Sequence, residues 1–250
     1  MSFNVTTLHP GIDVYHNVLD EYPDFFNKVL DVQEDLWRPW GGFGKYTTLT
    51  TQSYSGDPHE FTTETKELDS NKSYISIAFS KIFKDITSDY INKNNVELPN
   101  WHSSEPQLCK YFPKEVRYTG LILPFHTDYQ QERSRMPGIK HGITANLYIN
   151  DGYSGGEILY QIEPNDNIIS YQPKAGDMIV FPSKAPYYHA VKNVMEGDKY
   201  LIRSFWHYRY EGDPDYLVEK EKWDSEKWKE KEQLRQRRER NKYMKWIKVN

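Results

Sequence analysis

The sequence has very little cysteine and no long apolar segment. Its 250 residues include one cysteine, Cys109, so no disulfide can form within the chain, and a reducing compartment is favoured. The opening residues, MSFNVTTLHPGIDVYHN, lack the basic and apolar regions of a secretory signal. No apolar segment approaches the roughly 20 residues that a membrane-spanning helix needs. These absences predict a cytoplasmic protein with no membrane partner.

The net charge is also small. The chain has 32 Lys and Arg against 36 Asp and Glu, a formal charge of −4 at pH 7, which argues against a general nucleic-acid-binding protein. Residues 219–248 are the exception, with 12 basic and 7 acidic residues. They predict a charged helix, for which a solvated surface is favoured and a contact with an acidic partner or nucleic acid is the alternative. Aromatic residues are abundant instead, with 20 Tyr, 11 Phe and 7 Trp, and they suit strands, core and pocket walls.

The apolar pattern divides the chain into three regions. Residues 1–104 mix helix and strand signals, and helices are predicted over 20–37 and 70–93. Residues 105–210 contain many short strand-like segments separated by Gly, Pro, Asn and Asp, which is typical of a β-sandwich or barrel. Residues 211–250 form the charged extension. We expect a single domain in which the first region supports a β-rich core.

A histidine and an aspartate stand two residues apart in the segment LPFHTDYQ. In a strand, residues i and i+2 point to the same face, so His126 and Asp128 would project together. Alone the pair is a weak signal, because such pairs are common by chance and a polar strand end explains it better. His189 follows another strand-like segment, GDMIVFPS, and supplies a third ligand. Two imidazoles and one carboxylate on adjoining strands are the ligand set of non-haem Fe(II) oxygenases, whereas structural zinc sites normally use thiolates.

Two further segments would place polar groups on one face of a strand. In GDKYLIRSFWHY, alternation puts Lys199 and Arg203 on the same face, with no acidic residue in the strand to pair with them. A buried cation is costly unless it is paired, so this face is either solvated or binds an anion. In GITANLYIN the polar face either meets water or lines a cavity. Its members are Thr144, Asn146, Tyr148 and Asn150.

Together these segments resemble the Fe(II)/2-oxoglutarate-dependent dioxygenases, and within them the prolyl 4-hydroxylase-like group. The resemblance rests on FHTD, NLYIN, GGEILY, GDMIVFPS, YYHAV and GDKYLIRSFWHY, all within residues 105–210. It implies a mainly β fold, a double-stranded β-helix or jelly roll with N-terminal helices packed on one sheet and a C-terminal helix. It also implies that His126, Asp128 and His189 are the iron ligands and the catalytic centre.

The resemblance further implies a site for the cosubstrate, 2-oxoglutarate. In this group a Lys or Arg ten residues after the second histidine binds the distal carboxylate, and Lys199 holds that position. Tyr148 and Tyr111 are expected to approach the same cosubstrate. Arg203 departs from the family pattern, which usually has a small or neutral residue there. It could bind the distal carboxylate itself, or touch the other carboxylate or the substrate; spacing favours Lys199 for the distal carboxylate.

The implied reaction couples decarboxylation of 2-oxoglutarate by O₂ to hydroxylation of a C–H bond, with ascorbate keeping the iron reduced. A prolyl residue in a peptide or protein is the expected substrate, and a free amino acid or another small molecule is the alternative. The segment after Asp128 is either a substrate loop or a mobile surface loop. Its candidate substrate contacts are Tyr129, Gln131 and Arg133.

Two other classes of protein remain open at this point. A cupin-like metal enzyme that does not use 2-oxoglutarate would share the barrel, but it would have no need of Lys199. A binding module without enzymatic activity would be expected to have lost a metal ligand, yet His126, Asp128 and His189 are all present. The oxygenase is therefore the favoured interpretation.

Overall fold

The computed structural model describes residues 3–32, 38–39, 51–55, 70–96, 101–103, 106–113, 120–128, 139–162 and 167–209. The elements in chain order are β1 (Asn4–His9), β2 (Ile12–His16), α1 (Phe25–Leu30), β3 (Arg38–Pro39), β4 (Thr51–Ser55), α2 (Ser70–Asn94), β5 (Trp101–Ser103), β6 (Gln107–Tyr111), β7 (Leu121–His126), β8 (Ile139–Tyr148), β9 (Ser154–Gly155), β10 (Ile158–Gln161), β11 (Ile169–Tyr171), β12 (Met178–Pro182), β13 (Tyr188–Lys192), β14 (Val194–Glu196) and β15 (Lys199–Arg209).

Two antiparallel sheets make up most of the described structure. The large sheet has nine strands in the order β1-β2-β12-β8-β15-β6-β4-β3, with β5 paired to β15. The small sheet has four strands in the order β11-β10-β13-β7, and β14 pairs with β9 as a separate ribbon. The central strand β15 pairs with β8 on one side and β6 on the other. Most strands of the large sheet thus meet neighbours that are distant in sequence.

Two apolar clusters cover opposite faces of the large sheet. One lies against the helices and includes Phe83 of α2 and Ile202 of β15. The other lies between the two sheets and includes Leu201, Phe181 and Ile158. Because successive strand residues point to opposite faces, Ile202 and Leu201 enter different clusters. This arrangement confirms the predicted double-stranded β-helix with helices packed on one sheet.

The N-terminal region contributes strands as well as helices to this fold. Strand β2 pairs with β12, and β4 pairs with β6, so both extend the large sheet. The end of α2 is tied to β2 through the fully buried Asp13. That carboxylate accepts hydrogen bonds from Lys93 at 2.7 Å, Thr7 at 2.6 Å and Asn94 at 2.9 Å. The region therefore packs on the core and also completes one of its sheets.

Of the two helices predicted from residues 1–104, one has the predicted length and the other is shorter. Helix α2 covers Ser70–Asn94, as the spacing of apolar residues predicts for 70–93. Helix α1 is limited to Phe25–Leu30, because Pro23 and a series of turns precede it and Asp31 ends it. Residues 33–37 lie outside the described ranges, and so does the predicted C-terminal extension, 211–250. Of the helices in the described ranges, neither has the length and apolarity of a membrane span.

Candidate metal centre

Two histidines face each other across the small sheet. His126 ends β7 and is the cross-strand partner of His189 on β13, and their ring centroids are 4.3 Å apart. Nδ1 of His126 lies 2.7 Å from the carbonyl oxygen of Pro124 and donates its proton there. This hydrogen bond fixes the tautomer and leaves Nε2 as the nitrogen that can bind a metal.

Asp128 completes the set two residues beyond the end of β7. Its Oδ1 lies 3.6 Å from Nε2 of His126, and its Oδ2 lies 3.4 Å from Nε2 of His189. Thr144 on β8 donates a hydrogen bond of 2.7 Å to Oδ2, and Ser183 in turn lies 2.9 Å from the Thr144 hydroxyl. The carboxylate is thus oriented by the large sheet while it faces both histidines of the small sheet.

The donor atoms of these three side chains all lie within 4.8 Å of one another. Burial lowers the pKa of His189 to about 4, so its imidazole is neutral at neutral pH. Burial would raise the pKa of Asp128, but the imidazoles of His189 and His126 outweigh it and hold that pKa below its usual range. An ionised carboxylate beside imidazole nitrogens is suited to a divalent metal. With two imidazoles, one carboxylate and no thiolate, the set fits Fe(II) with open coordination positions.

Lys199 lies fully buried at a second point between the sheets. Its Nζ donates a hydrogen bond to the carbonyl oxygen of Gly156. It lies 4.9 Å from the ring centroid of Tyr148, 5.5 Å from that of Tyr153 and 5.8 Å from that of Tyr111. Among the described carboxylates, Glu157 acts on it through its charge, which raises the pKa of Lys199 but is outweighed by burial. Burial lowers the pKa of Lys199 to about 7, so an anionic ligand would relieve an unfavourable environment.

Two of these tyrosines also belong to the predicted cosubstrate site. Tyr111 is the cross-strand partner of Lys199, and Tyr148 is the partner of Leu201. Burial raises the pKa of both tyrosines above the ordinary value, so both hydroxyl groups stay protonated. They can therefore donate hydrogen bonds to an anion beside Lys199.

The same apolar cluster connects Lys199 with the metal centre. Tyr111, Tyr148, Tyr160 and Phe181 all belong to the cluster between the sheets. The ring of Phe181 lies 4.9 Å from that of His189, and the ring of Tyr160 lies 6.2 Å from it. The metal ligands and the buried cation thus face the same interior.

Arg203 lies two inward-facing positions along β15 from Lys199. Its Nε donates a hydrogen bond of 2.8 Å to Oε1 of Gln107, and its Cζ lies 5.7 Å from the ring centroid of Phe205. Its charge also acts on the metal ligands. The positive charge of Arg203 lowers the pKa of each of them, His126, Asp128 and His189. Its effect is smaller than those of burial and of the contacts among the three side chains.

Part of the site was not anticipated from the sequence. Tyr153, in the turn after β8, adds a third ring beside Lys199, and its segment gave only a turn signal. Thr144 was placed on the polar face of its strand, but its bond to Asp128 depends on how the two sheets meet. The three predicted substrate contacts lie outside the described residues. They are Tyr129, Gln131 and Arg133.

Comparison with known proteins relates the part of the chain that contains this site to a family. The family model described as the 2OG-Fe(II) oxygenase superfamily matches residues 114–207. This range contains the three candidate metal ligands, Lys199 and Arg203. This part of the chain is similar to the 2OG-Fe(II) oxygenase superfamily. The enzyme is thus a 2-oxoglutarate/Fe(II)-dependent dioxygenase, as the resemblance implied. No curated protein matches this oxygenase at a significant level.

Solved structures share the fold of this oxygenase at low sequence identity. A prolyl hydroxylase from Trichoplax adhaerens, in complex with a hypoxia inducible factor oxygen degradation domain peptide fragment, aligns with a TM-score of 0.60 at 15% identity, covering 80% of this chain and 84% of that one. A prolyl-4-hydroxylase from Pseudomonas putida gives 0.52 at 18%, covering 80% and 94%. The viral collagen prolyl hydroxylase of Paramecium Bursaria Chlorella virus-1, as its 2OG complex, gives 0.51 at 14%, covering 79% and 96%.

Proposed function

We propose that this oxygenase hydroxylates a prolyl residue in a peptide or protein. The observation that carries the reaction type is the combination of the triad, His126, Asp128 and His189, with the buried cation of Lys199 between the same two sheets. Fe(II) held by the triad would supply the chemistry by which 2-oxoglutarate, O₂ and a substrate C–H group become succinate, CO₂ and a substrate C–OH group. The protein supplies geometry, charge and a dry cavity.

The side chains of this interior take distinct roles in the proposal. The triad holds the metal, and Lys199 binds the distal carboxylate of 2-oxoglutarate by a charge-assisted hydrogen bond. The protonated hydroxyls of Tyr148 and Tyr111 donate to the same carboxylate. Nζ of Lys199 donates to the carbonyl oxygen of Gly156, and a carboxylate would be a stronger, charged acceptor for the same group.

The prolyl substrate is supported by the shared fold. The three structures above are prolyl hydroxylases, and the Trichoplax adhaerens protein holds a peptide fragment. We extend the proposal to Tyr129, Gln131 and Arg133 as substrate contacts. We also propose ascorbate as the reductant that maintains Fe(II). The buried single cysteine, Cys109, supports a reducing compartment and hence a cytoplasmic location.

We propose a simple division of the chain for this function. Residues 105–210 form the catalytic core, residues 1–104 support it within the same domain, and residues 211–250 are a charged helical extension. The pairing of β2 and β4 with core strands supports the single-domain arrangement of the first two regions.

A substrate screen tests the proposed function. The protein is incubated with Fe(II), 2-oxoglutarate, ascorbate and O₂ together with proline-containing peptides or free amino acids. The expected result is succinate formation matched by the gain of one oxygen atom on a peptidyl proline. The Asp128→Ala variant, which removes a metal ligand, is the control and should form no succinate. Oxygen gain on free amino acids alone would contradict the peptide substrate, and absence of succinate with every compound would contradict the reaction.

A further inference from the structure

The connection between β12 and β13 lies beside two of the candidate metal ligands. It comprises residues 183–187 and ends two residues before His189. At its start, Ser183 lies 2.9 Å from the hydroxyl of Thr144, which donates to Asp128. At its end, Tyr187 is separated from His189 by a single residue. The conformation of this connection therefore affects how Asp128 and His189 face each other.

The imidazole of His189 depends on this connection for a hydrogen bond. Its Nδ1 is buried and has no acceptor in standard hydrogen-bond geometry among the residues that the structure describes. Burial is the largest influence on the pKa of His189 and lowers it, while the backbone of Tyr187 acts as a hydrogen-bonding group and raises it. A histidine that binds a metal through one nitrogen normally donates the proton of the other nitrogen to a carbonyl or carboxylate oxygen. The carbonyl oxygen of Tyr187 is thus the acceptor that would orient His189 when Nε2 binds a metal.

The turn between β1 and β2 packs against Tyr187. Strands β2 and β12 are antiparallel, with Asp13 opposite Val180, so the turn before β2 lies beside the connection after β12. The hydroxyl of Tyr187 donates a hydrogen bond of 3.2 Å to the carbonyl oxygen of Pro10 in this turn. The ring of Tyr187 also packs against the apolar cluster between the sheets. The N-terminal hairpin therefore holds the residue whose backbone faces the metal ligand.

Gly11 determines how closely the turn approaches Tyr187. Its φ of +84° is a left-handed conformation that favours glycine. A Cβ atom at this position would lie 2.7 Å from the hydroxyl oxygen of Tyr187 and 3.1 Å from Cζ of its ring, which is closer than such atoms pack. On the other side, the hydroxyl of Tyr90, a fully buried residue of α2, donates a hydrogen bond of 2.8 Å to the carbonyl oxygen of Gly11. The turn is therefore held between α2 and Tyr187.

We propose that Tyr187 is a positioning residue for the metal ligand His189 and that the N-terminal turn holds it in place. We call Pro10, Gly11 and Tyr187 the latch. The latch fixes the backbone of Tyr187, whose carbonyl oxygen orients the imidazole so that Nε2 faces Asp128, 3.4 Å from Oδ2. The inference goes beyond the proposed function, because it concerns metal binding and holds whichever substrate is hydroxylated.

Substitutions on both sides of the latch test this role through the affinity for Fe(II). Tyr187→Leu removes the ring and its bond to Pro10, and Gly11→Ala forces the ring away from the turn. Each should weaken Fe(II) binding about tenfold or more, the loss that is typical of groups that orient metal ligands. Tyr187→Phe removes only the hydroxyl, so its loss should be smaller. Affinities are measured by anaerobic Fe(II) titration where each variant is folded, and the Tyr187 variants decide the test if Gly11→Ala does not fold.

The double variant, Gly11→Ala with Tyr187→Leu, separates positioning from a general loss of stability. If residue 11 acts on the metal through Tyr187, the double variant should bind Fe(II) about as weakly as Tyr187→Leu alone, because no ring remains for the added methyl group to displace. Co(II) bound in place of Fe(II) gives a second readout, since its visible absorbance depends on ligand geometry and should shift in the single variants. Losses of affinity that multiply in the double variant would mean that the two positions act independently, which would overturn the inference.

Gly176→Ala is the matched control. Gly176 is also left-handed, with a φ of +79°, but the nearest atom to a Cβ there is Cα of Asn17 at 3.5 Å, an ordinary contact. This variant brings similar backbone strain without displacing Tyr187, so its stability should fall while its Fe(II) affinity stays unchanged. If the latch variants bind Fe(II) as tightly as the unaltered protein, or if Gly176→Ala weakens binding equally, the latch only joins the hairpin to the core and the inference is overturned.

Discussion

The pKa of Lys199 is lowered by its burial in the fold, and this shift affects both stability and ligand binding. Burial lowers its pKa from 10.5 to about 7, so between these values the unfolded chain holds a proton that the folded protein lacks. The free energy of unfolding of the cosubstrate-free protein should therefore rise with pH between about 7 and 10. Thermal unfolding across this range checks the prediction, and Lys199→Met should remove that part of the pH dependence. The prediction would be contradicted if the free energy of unfolding of the unaltered protein fell between pH 7 and 10 while that of Lys199→Met did not.

Binding of a dianion at Lys199 should reverse this linkage. The ligand stabilises the protonated lysine and raises its pKa, so binding takes up a proton above pH 7. The affinity for 2-oxoglutarate should then fall as pH rises from about 7 to 9, by up to about tenfold per pH unit. Titrations at several pH values measure this change, and Lys199→Met should show a weaker and flatter profile.

Substitution of Thr144 tests whether the large sheet orients Asp128, the proposed metal ligand that follows β7. Thr144→Val keeps the shape of the side chain but removes the hydrogen bond to Oδ2 of Asp128. The affinity for Fe(II) should fall about tenfold or more, as for other groups that orient metal ligands. Direct metal titration measures the change. Thr87→Val is the matched control, because Thr87 is a buried threonine of α2 that bonds to the carbonyl of Phe83; equal losses in both variants would argue against the prediction.

At the scale of elements, β15 joins the site to the helices. Its inward face carries Lys199 and Arg203, whereas its outward face packs Trp206 against Phe83 of α2, with ring centroids 5.6 Å apart. Phe83→Ala leaves a cavity behind this strand and should lower the free energy of unfolding by about 3–5 kcal/mol. Urea unfolding measures the loss. Because Phe83 lies on the face of the sheet away from the site, the affinity of the folded variant for 2-oxoglutarate should change little. A large loss of affinity under conditions where the variant is fully folded would contradict this prediction.

The elements also show where sequence patterns suffice. The long helix α2 and the strand β15 can be predicted from the spacing of their apolar residues. Each element buries one or two continuous faces, and this burial gives the sequence a regular period. The helix predicted over 20–37 is shortened to Phe25–Leu30, because Pro23 and the turn-forming residues around it outweigh the apolar spacing.

At the scale of the whole molecule, the sequence indicates the ligand types but not their full surroundings. The alternation of FHTD and the strand before His189 predicted two adjoining strands, and β7 and β13 are paired. The latch and the ring of Tyr153 beside Lys199 could not be predicted in the same way. They depend on how the β1–β2 turn meets the connection between β12 and β13 and on a turn after β8, and neither is determined by local sequence.

The most direct test of the account is anaerobic titration of the Fe(II)-loaded protein with 2-oxoglutarate. The triad and Lys199 together predict a charge-transfer absorbance that saturates with 2-oxoglutarate, is lost in Asp128→Ala and requires more cosubstrate in Lys199→Met. Fe(II) that binds tightly but gives no 2-oxoglutarate-dependent absorbance would contradict the central claim that these two points between the sheets form one cosubstrate site.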